Sequence, residues 1–201
     1  MSTTKTKIAN ELIRSYDGDN DSLTVGLQQK MNEAYYWGDQ KFAEVLNGNM
    51  YQNNMINYLL WDYEQHLQRK GYILNGSVGI ESESIEHISP QTEPDEVVES
   101  GYEIGTTGLY SKDFRENYIN KLGNLMLISK SHNSAIGNKP FADKLQSYND
   151  NPLLRQQAQI KEFVKDEYKP VWDSEAIDSR HQKMLEYALD RWGFGKYAQN
   201  E

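Results

Sequence analysis

The sequence contains no cysteine. Disulfide staples and thiolate zinc sites are therefore excluded, and any metal must rest on carboxylate, histidine or amide ligands. It also contains no apolar run long enough to span a bilayer, and its opening "MSTTKTKIANELIRSYDG" has no apolar core of a leader. A chain free of the membrane, in the reducing cytoplasm, is the expectation. There is no internal repeat, and no glycine-rich, phosphate-cradling loop of a nucleotide hydrolase in residues 1–50. Excess positive charge is missing too. The net charge of −9 over 201 residues argues against a generic nucleic-acid binder, because affinity for phosphates is built from Lys and Arg.

What charge there is lies unevenly. From Glu81 to Glu103 there are eight acids and neither Lys nor Arg, whereas Ser111 to Lys144 holds six bases against three acids. The length suits one domain or a helical subdomain joined to a small catalytic one, with enough chain to bury a core.

Polar residues 1–22 read as a disordered lead-in. Helices are expected over 23–46 and 50–69, stopped by "NGN" at 47–49 and by Gly71. Met55, Ile56, Leu59, Leu60, Tyr63 and Leu67 form the buried stripe of the second, leaving Glu64 and His66 on its solvated face. The period then changes. "SVGIESESIEHI" alternates like a strand ending near His87. An acidic loop follows over 89–110. Ser111 caps a short helix, "LGNLMLI" at 122–128 makes a second strand, and Pro140 opens a helix running to Tyr148. Helices at 153–168 and 173–192 close the chain. Asp173 caps the last, whose buried stripe includes Ile177, His181, Met184, Leu185, Ala188 and Trp192.

The fold class is thus α+β, mainly helical, with a small ββα finger embedded between helical segments. Its divisions are 1–22, a helical segment 23–75, the finger 76–150, and C-terminal helices 151–201 packed on the N-terminal ones.

Cleaving a phosphodiester needs a base near the phosphorus and help for the leaving alkoxide. Histidine suits the first, since its pKa lies near neutrality. A carboxylate or amide oxygen suits Mg²⁺. The base must also be oriented through its other ring nitrogen. Strand, loop, strand and helix supply these groups in order: Glu86 and His87, then Asn124, then Asn133.

"IEHISPQ", "LGNLMLIS" and "HNSAIGNKPFADKL" resemble the HNH (His-Me finger, ββα-metal) nuclease motif. More narrowly, they are similar to the C-terminal HNH domain of GmrSD-type type IV restriction proteins. That family shows a carboxylate–His–Ile–x–Pro–Gln box, then Gly-Asn-Leu-x-Leu, then Asn-x-x-x-Gly-Asn-Lys-x-Phe. "INYLLWDYE" at 56–64 upstream, and Trp172, Ile177 and Arg180 downstream, extend the likeness over about 40–192.

The resemblance implies a divalent-metal-dependent DNA endonuclease of a restriction or phage-defence system. His87 would be the general base, and Glu86 and Asn133 would ligate one ion, Mg²⁺ or Mn²⁺. Asn124 would orient the His87 loop, and Lys139 or Arg180 would reach a substrate phosphate. The bland readings stand beside these: Asn133 as a helix N-cap, Asn124 as a turn cap, and Lys139 as a solvated charge; His132, beside Asn133, is the alternative ligand one place earlier. The family also implies DNA as partner, together with a nucleotide-hydrolysing domain or subunit. A finger that nicks one strand must pair to break two, which points to a homodimer. The alternative is a degenerate finger kept as a DNA- or protein-binding module.

Overall fold

A computed structural model describes residues 3–33, 38–69, 82–94, 99–150 and 152–194. Tyr35, Tyr36, Trp37, Gly71, and Val78 and Ile80 of the expected first strand lie outside them. None of the described helices is long and apolar enough to cross a membrane. The chain divides into two units, residues 1–46 with 186–201, and residues 47–185.

In the first unit, α1 (Thr3–Ser15) and α2 (Asn20–Glu33) pair, followed by α3 (Asp39–Leu46). The expected lead-in is therefore wrong in part: residues 3–15 are helical and bury Ile8. Gly18, at φ 101°, turns the chain, and Asp19 accepts the backbone N–H groups of Asp21 (3.0 Å) and Ser22 (3.3 Å) to start α2. The single helix expected over 23–46 is two. Phe194 donates its N–H to Asp39 (2.7 Å), and Trp192 meets the edge of Phe42.

The second unit holds the finger. It comprises α4 (Ile56–Arg69), β1 (Glu83–His87), α5 (Lys112–Asn117), β2 (Leu125–Ser129), α6 (Lys130–Ile136), α7 (Phe141–Asp150), α8 (Arg155–Gln159) and the start of α9 (Ser174–Trp192). β1 and β2 are antiparallel, with Glu83 opposite Ser129 and His87 opposite Leu125. Opposed residues share a face, so Ile85 and His87 lie with Leu127 and Leu125, whereas Ser84 and Glu86 lie with Ile128 and Met126. α4 and α8 pack on β2. Met126 and Ile128 enter a core with Ile136, Phe141, Tyr148 and Trp172. Leu125 to Ile128 are wholly buried, which is why this strand reads as an unbroken apolar run.

Three local rules hold. Ser111 accepts the N–H of Phe114 (3.1 Å) to cap α5, and Asp173 accepts that of Ala176 (2.9 Å) to cap α9. Gly123 sits in a 3₁₀ turn (Leu122–Asn124) just before β2, under α9, where a Cβ would lie 2.1 Å from the Ile177 carbonyl oxygen.

Others fail. The helix expected over 153–168 stops at a 3₁₀ turn, Ile160–Phe163. Asp166 then takes the N–H groups of Tyr168 and Lys169 into a turn, and Pro170 disfavours helix at Lys169. Glu64 is buried, not solvated. Its carboxylate accepts the N–H groups of Arg155 (2.8 Å) and Gln156 (3.0 Å) at the start of α8, where the helix dipole favours a negative charge. Met55, expected in the buried stripe, is 57% exposed.

Candidate active site

His87 closes β1 and is 8% exposed. Its Nε2 lies 3.0 Å from Asn120 Oδ1, and the Tyr51 ring meets it edge-on at 4.4 Å between centroids. An amide oxygen facing Nε2 keeps the proton there. The lone pair is then on Nδ1, for which no hydrogen bond is found among the described residues. Burial lowers the ring's pKa to about 4; the Asn120 bond opposes the shift and the Lys144 charge adds to it. At neutral pH the ring is neutral, with Nδ1 unprotonated, the form a general base requires.

The loop behind this histidine is fixed by Asn124, which is fully buried. Its Oδ1 accepts from Ser89 N (2.8 Å) and Trp172 Nε1 (3.0 Å), and its Nδ2 donates to the carbonyls of Ser89 (2.9 Å) and Ile119 (2.8 Å). Its own carbonyl accepts Ile88 N–H at 3.0 Å. Asn124 thus holds the backbone just past His87, while Asn120 holds the ring.

Glu86 turns the other way. It is 3% exposed and faces α7, where Lys144 Nζ lies 2.7 Å and Tyr148 Oη 2.8 Å from its Oε1. The same Nζ donates to the carbonyls of His87 (3.1 Å) and Ile88 (3.3 Å). Burial pushes the Glu86 carboxyl up and the Lys144 ammonium down, and their pairing pushes each back. Neighbours on a strand point to opposite faces, so Glu86 and His87 do not converge on one point.

Asn133 lies inside α6. Its Nδ2 donates to Ser84 Oγ (2.8 Å) and to the Ile85 carbonyl (3.3 Å), tying α6 to β1. The N-cap reading is overturned, because Ser129 caps this helix by accepting His132 N–H (3.2 Å). His132 is engaged at both nitrogens: Gln157 Nε2 is 3.2 Å from Nδ1, and Ser147 Oγ is 2.7 Å from Nε2. Gln157 Oε1 already accepts the N–H groups of Leu153 and Leu154, so its NH₂ faces the ring. Nε2 then carries the proton, and His132 can neither take one from Ser147 nor offer that nitrogen to a metal.

Lys139 is exposed. Arg180 is not: it is fully buried, with Nη1 on the carbonyls of Gly123 (2.7 Å) and Leu125 (2.8 Å). It lies on the α9 face that covers the Gly123 turn, so it braces the start of β2 and does not reach a phosphate.

The two residues expected to ligate a divalent ion are both engaged by protein groups. Among the described residues, no three His, Cys, Asp or Glu side chains come together. Glu86 is held by an ammonium and a phenol, and Asn133 offers one carboxamide oxygen.

The sequence reading missed Asn120, Tyr51, Lys144 and Tyr148. Lys144 did leave a signal. It sits between Phe141 and Tyr148 at helical spacing, a charge on a stripe that must be buried, which implies a buried partner.

A short antiparallel pair, a helix following at once, and a histidine at the end of the first strand define a ββα finger set among helices. The family model of the GmrSD restriction endonucleases, C-terminal domain, matches residues 28–187, and the chain belongs to that family. No curated protein and no solved structure matches it.

Proposed function

We propose that the chain is the nuclease part of a restriction system, cutting phosphodiester bonds in foreign or modified DNA in the cytoplasm, with His87 as general base. The observation that carries this is the His87 ring, held through Nε2 by Asn120 with Nδ1 left to take a proton from water. A pKa of about 4 makes a weak base, but an adjacent phosphate stabilises the imidazolium and raises it as DNA binds.

The bases near the finger are mostly spent. Arg115 pairs with Glu93, Lys121 with Asp178, Lys112 with Glu116, and Lys144 is buried. Lys130 and Lys139 are exposed and have no acidic partner among the described residues. DNA affinity is therefore low in this chain alone, and a partner domain, or a second copy for double-strand cleavage, adds to it.

The test is nicking of supercoiled plasmid, and of phage DNA carrying modified cytosines, by purified chain in Mg²⁺, Mn²⁺ or EDTA. Nicking by the wild type that His87→Ala loses supports the assignment, and nicking that His87→Ala retains removes it. The second reading is a finger kept for binding. It is favoured by the sealing of Glu86, and DNA retention without cleavage under all three conditions would select it.

A further inference from the structure

We propose that Lys144 is the resident cation of this finger: its ammonium takes the place on Glu86 that a divalent ion would take, and it fixes the strand end that carries His87. The proposal concerns ion binding and folding. It holds whether or not the chain cleaves DNA, so its failure and that of the nuclease reading are separable.

The geometry is that of an ammonium site. Lys144 Nζ has three N–H donors and three oxygens to receive them: Glu86 Oε1 and the carbonyls of His87 and Ile88. Two of these are consecutive main-chain oxygens at the end of β1, and the third belongs to the residue before His87. A charge-only pairing would need Glu86 alone. Here the cation gathers the backbone around the candidate base, and Tyr148 closes the remaining side of Oε1 at 2.8 Å. Lys144 is fully buried and Glu86 nearly so, and burying two charges is costly unless every hydrogen bond is made. This one is made.

A divalent ion has no equivalent place. Mg²⁺ needs oxygens near octahedral positions and retains waters, whereas Glu86 faces an apolar core of Met126, Ile136, Phe141 and Tyr148. To reach the carboxylate it would have to expel the ammonium, and with it the two carbonyls.

The test uses Mn²⁺ as the probe, on the full chain. Electron paramagnetic resonance of free Mn²⁺ is titrated with wild-type protein and with Glu86→Gln. The expected result is the same free-Mn²⁺ signal for both. Stoichiometric Mn²⁺ uptake by the wild type that Glu86→Gln abolishes would overturn the proposal. This comparison needs no change at Lys144.

The second measurement is thermal melting of Lys144→Ala, which removes the charge and vacates the space that the ammonium fills. Its melting temperature is expected to fall, and Mn²⁺ is expected to raise it by several degrees while leaving the wild type unmoved. A folded Lys144→Ala variant indifferent to Mn²⁺ would show that no cation place exists there. A Lys144→Ala chain that does not fold without Mn²⁺ but folds with it would give the same support as the melting shift.

Discussion

Asn120 Oδ1 and His87 Nε2 stand 3.0 Å apart, joining the turn after α5 to the last residue of β1. This bond sets which ring nitrogen is free. Asn120→Ala leaves the ring to rotate and change tautomer, so the nicking rate should fall about 10–100-fold, a cost typical of groups that orient a functional histidine. His87→Ala should lose more, about 10²–10⁴-fold, the range for a general base. Initial rates of plasmid nicking at saturating DNA measure both. An Asn120→Ala enzyme as fast as the wild type would mean that something else orients the ring.

Asn124→Ala should be among the most damaging substitutions in the chain. It strands Ser89 N–H, Trp172 Nε1–H and two carbonyls, all inside the protein. An unsatisfied buried group costs about 1–3 kcal/mol. A loss of about 3 kcal/mol or more is expected, or roughly 10 °C in melting temperature for a chain of this size. Asn124→Asp should not rescue it, since it keeps the acceptor, loses the two donors and buries a charge. Calorimetry of the two variants gives the answer. A shift of only a degree or two would mean that the loop has another anchor.

Acid should unfold this protein earlier than its carboxylates alone would predict. Burial lowers both His87 and His181 to about 4, from an ordinary 6.5. Between those values the unfolded chain binds more protons than the folded one, so stability is complete above pH 6.5 and falls as pH drops towards 4. Each histidine accounts for up to about 3 kcal/mol. His181 Nε2 is 2.7 Å from Asn47 Oδ1, so His181→Gln keeps a polar partner there while removing the titration. The melting temperature of His181→Gln should fall less between pH 7 and pH 4.5 than that of the wild type. Parallel curves would contradict this.

Local chemistry was legible from residue order. Ser111 and Asp173 cap helices as their side chains dictate, and the run at β2 announces a strand buried on both faces. The order of strand, loop, strand and helix follows from the change of period at "SVGIESESIEHI". The failures share a cause: each depends on a partner remote in the chain. Glu64 looks solvated until Arg155 and Gln156 arrive 91 and 92 residues later. Arg180 looks like a phosphate ligand until Gly123 opens space beneath α9. Glu86 beside His87 suggests a shared metal site, but strand alternation separates the side chains, and Lys144, 58 residues on, holds the carboxylate. Asn120 left no signal, because a polar residue in a turn is ordinary. α1 was missed because a mostly polar helix with one buried apolar residue resembles a tail.

Lys139 and Arg180 began as candidates for one task, and the structure gives them different ones. Lys139 is exposed at the end of the α6 turn, so Lys139→Ala should weaken DNA binding and reduce the steepness of its salt dependence by about one phosphate contact. Arg180 has no exposed surface, and its Nη1 holds two carbonyls at the entrance of β2. Arg180→Lys cannot hold both carbonyls from the same place, because its side chain is one atom shorter and its ammonium stops short of the Nη1 position. It should lower the melting temperature and leave the salt slope of DNA binding as in the wild type. Fluorescence anisotropy across a salt series, paired with thermal melts, separates the two effects. A reduced salt slope in Arg180→Lys would return Arg180 to the DNA surface; an unchanged slope in Lys139→Ala would remove Lys139 from it.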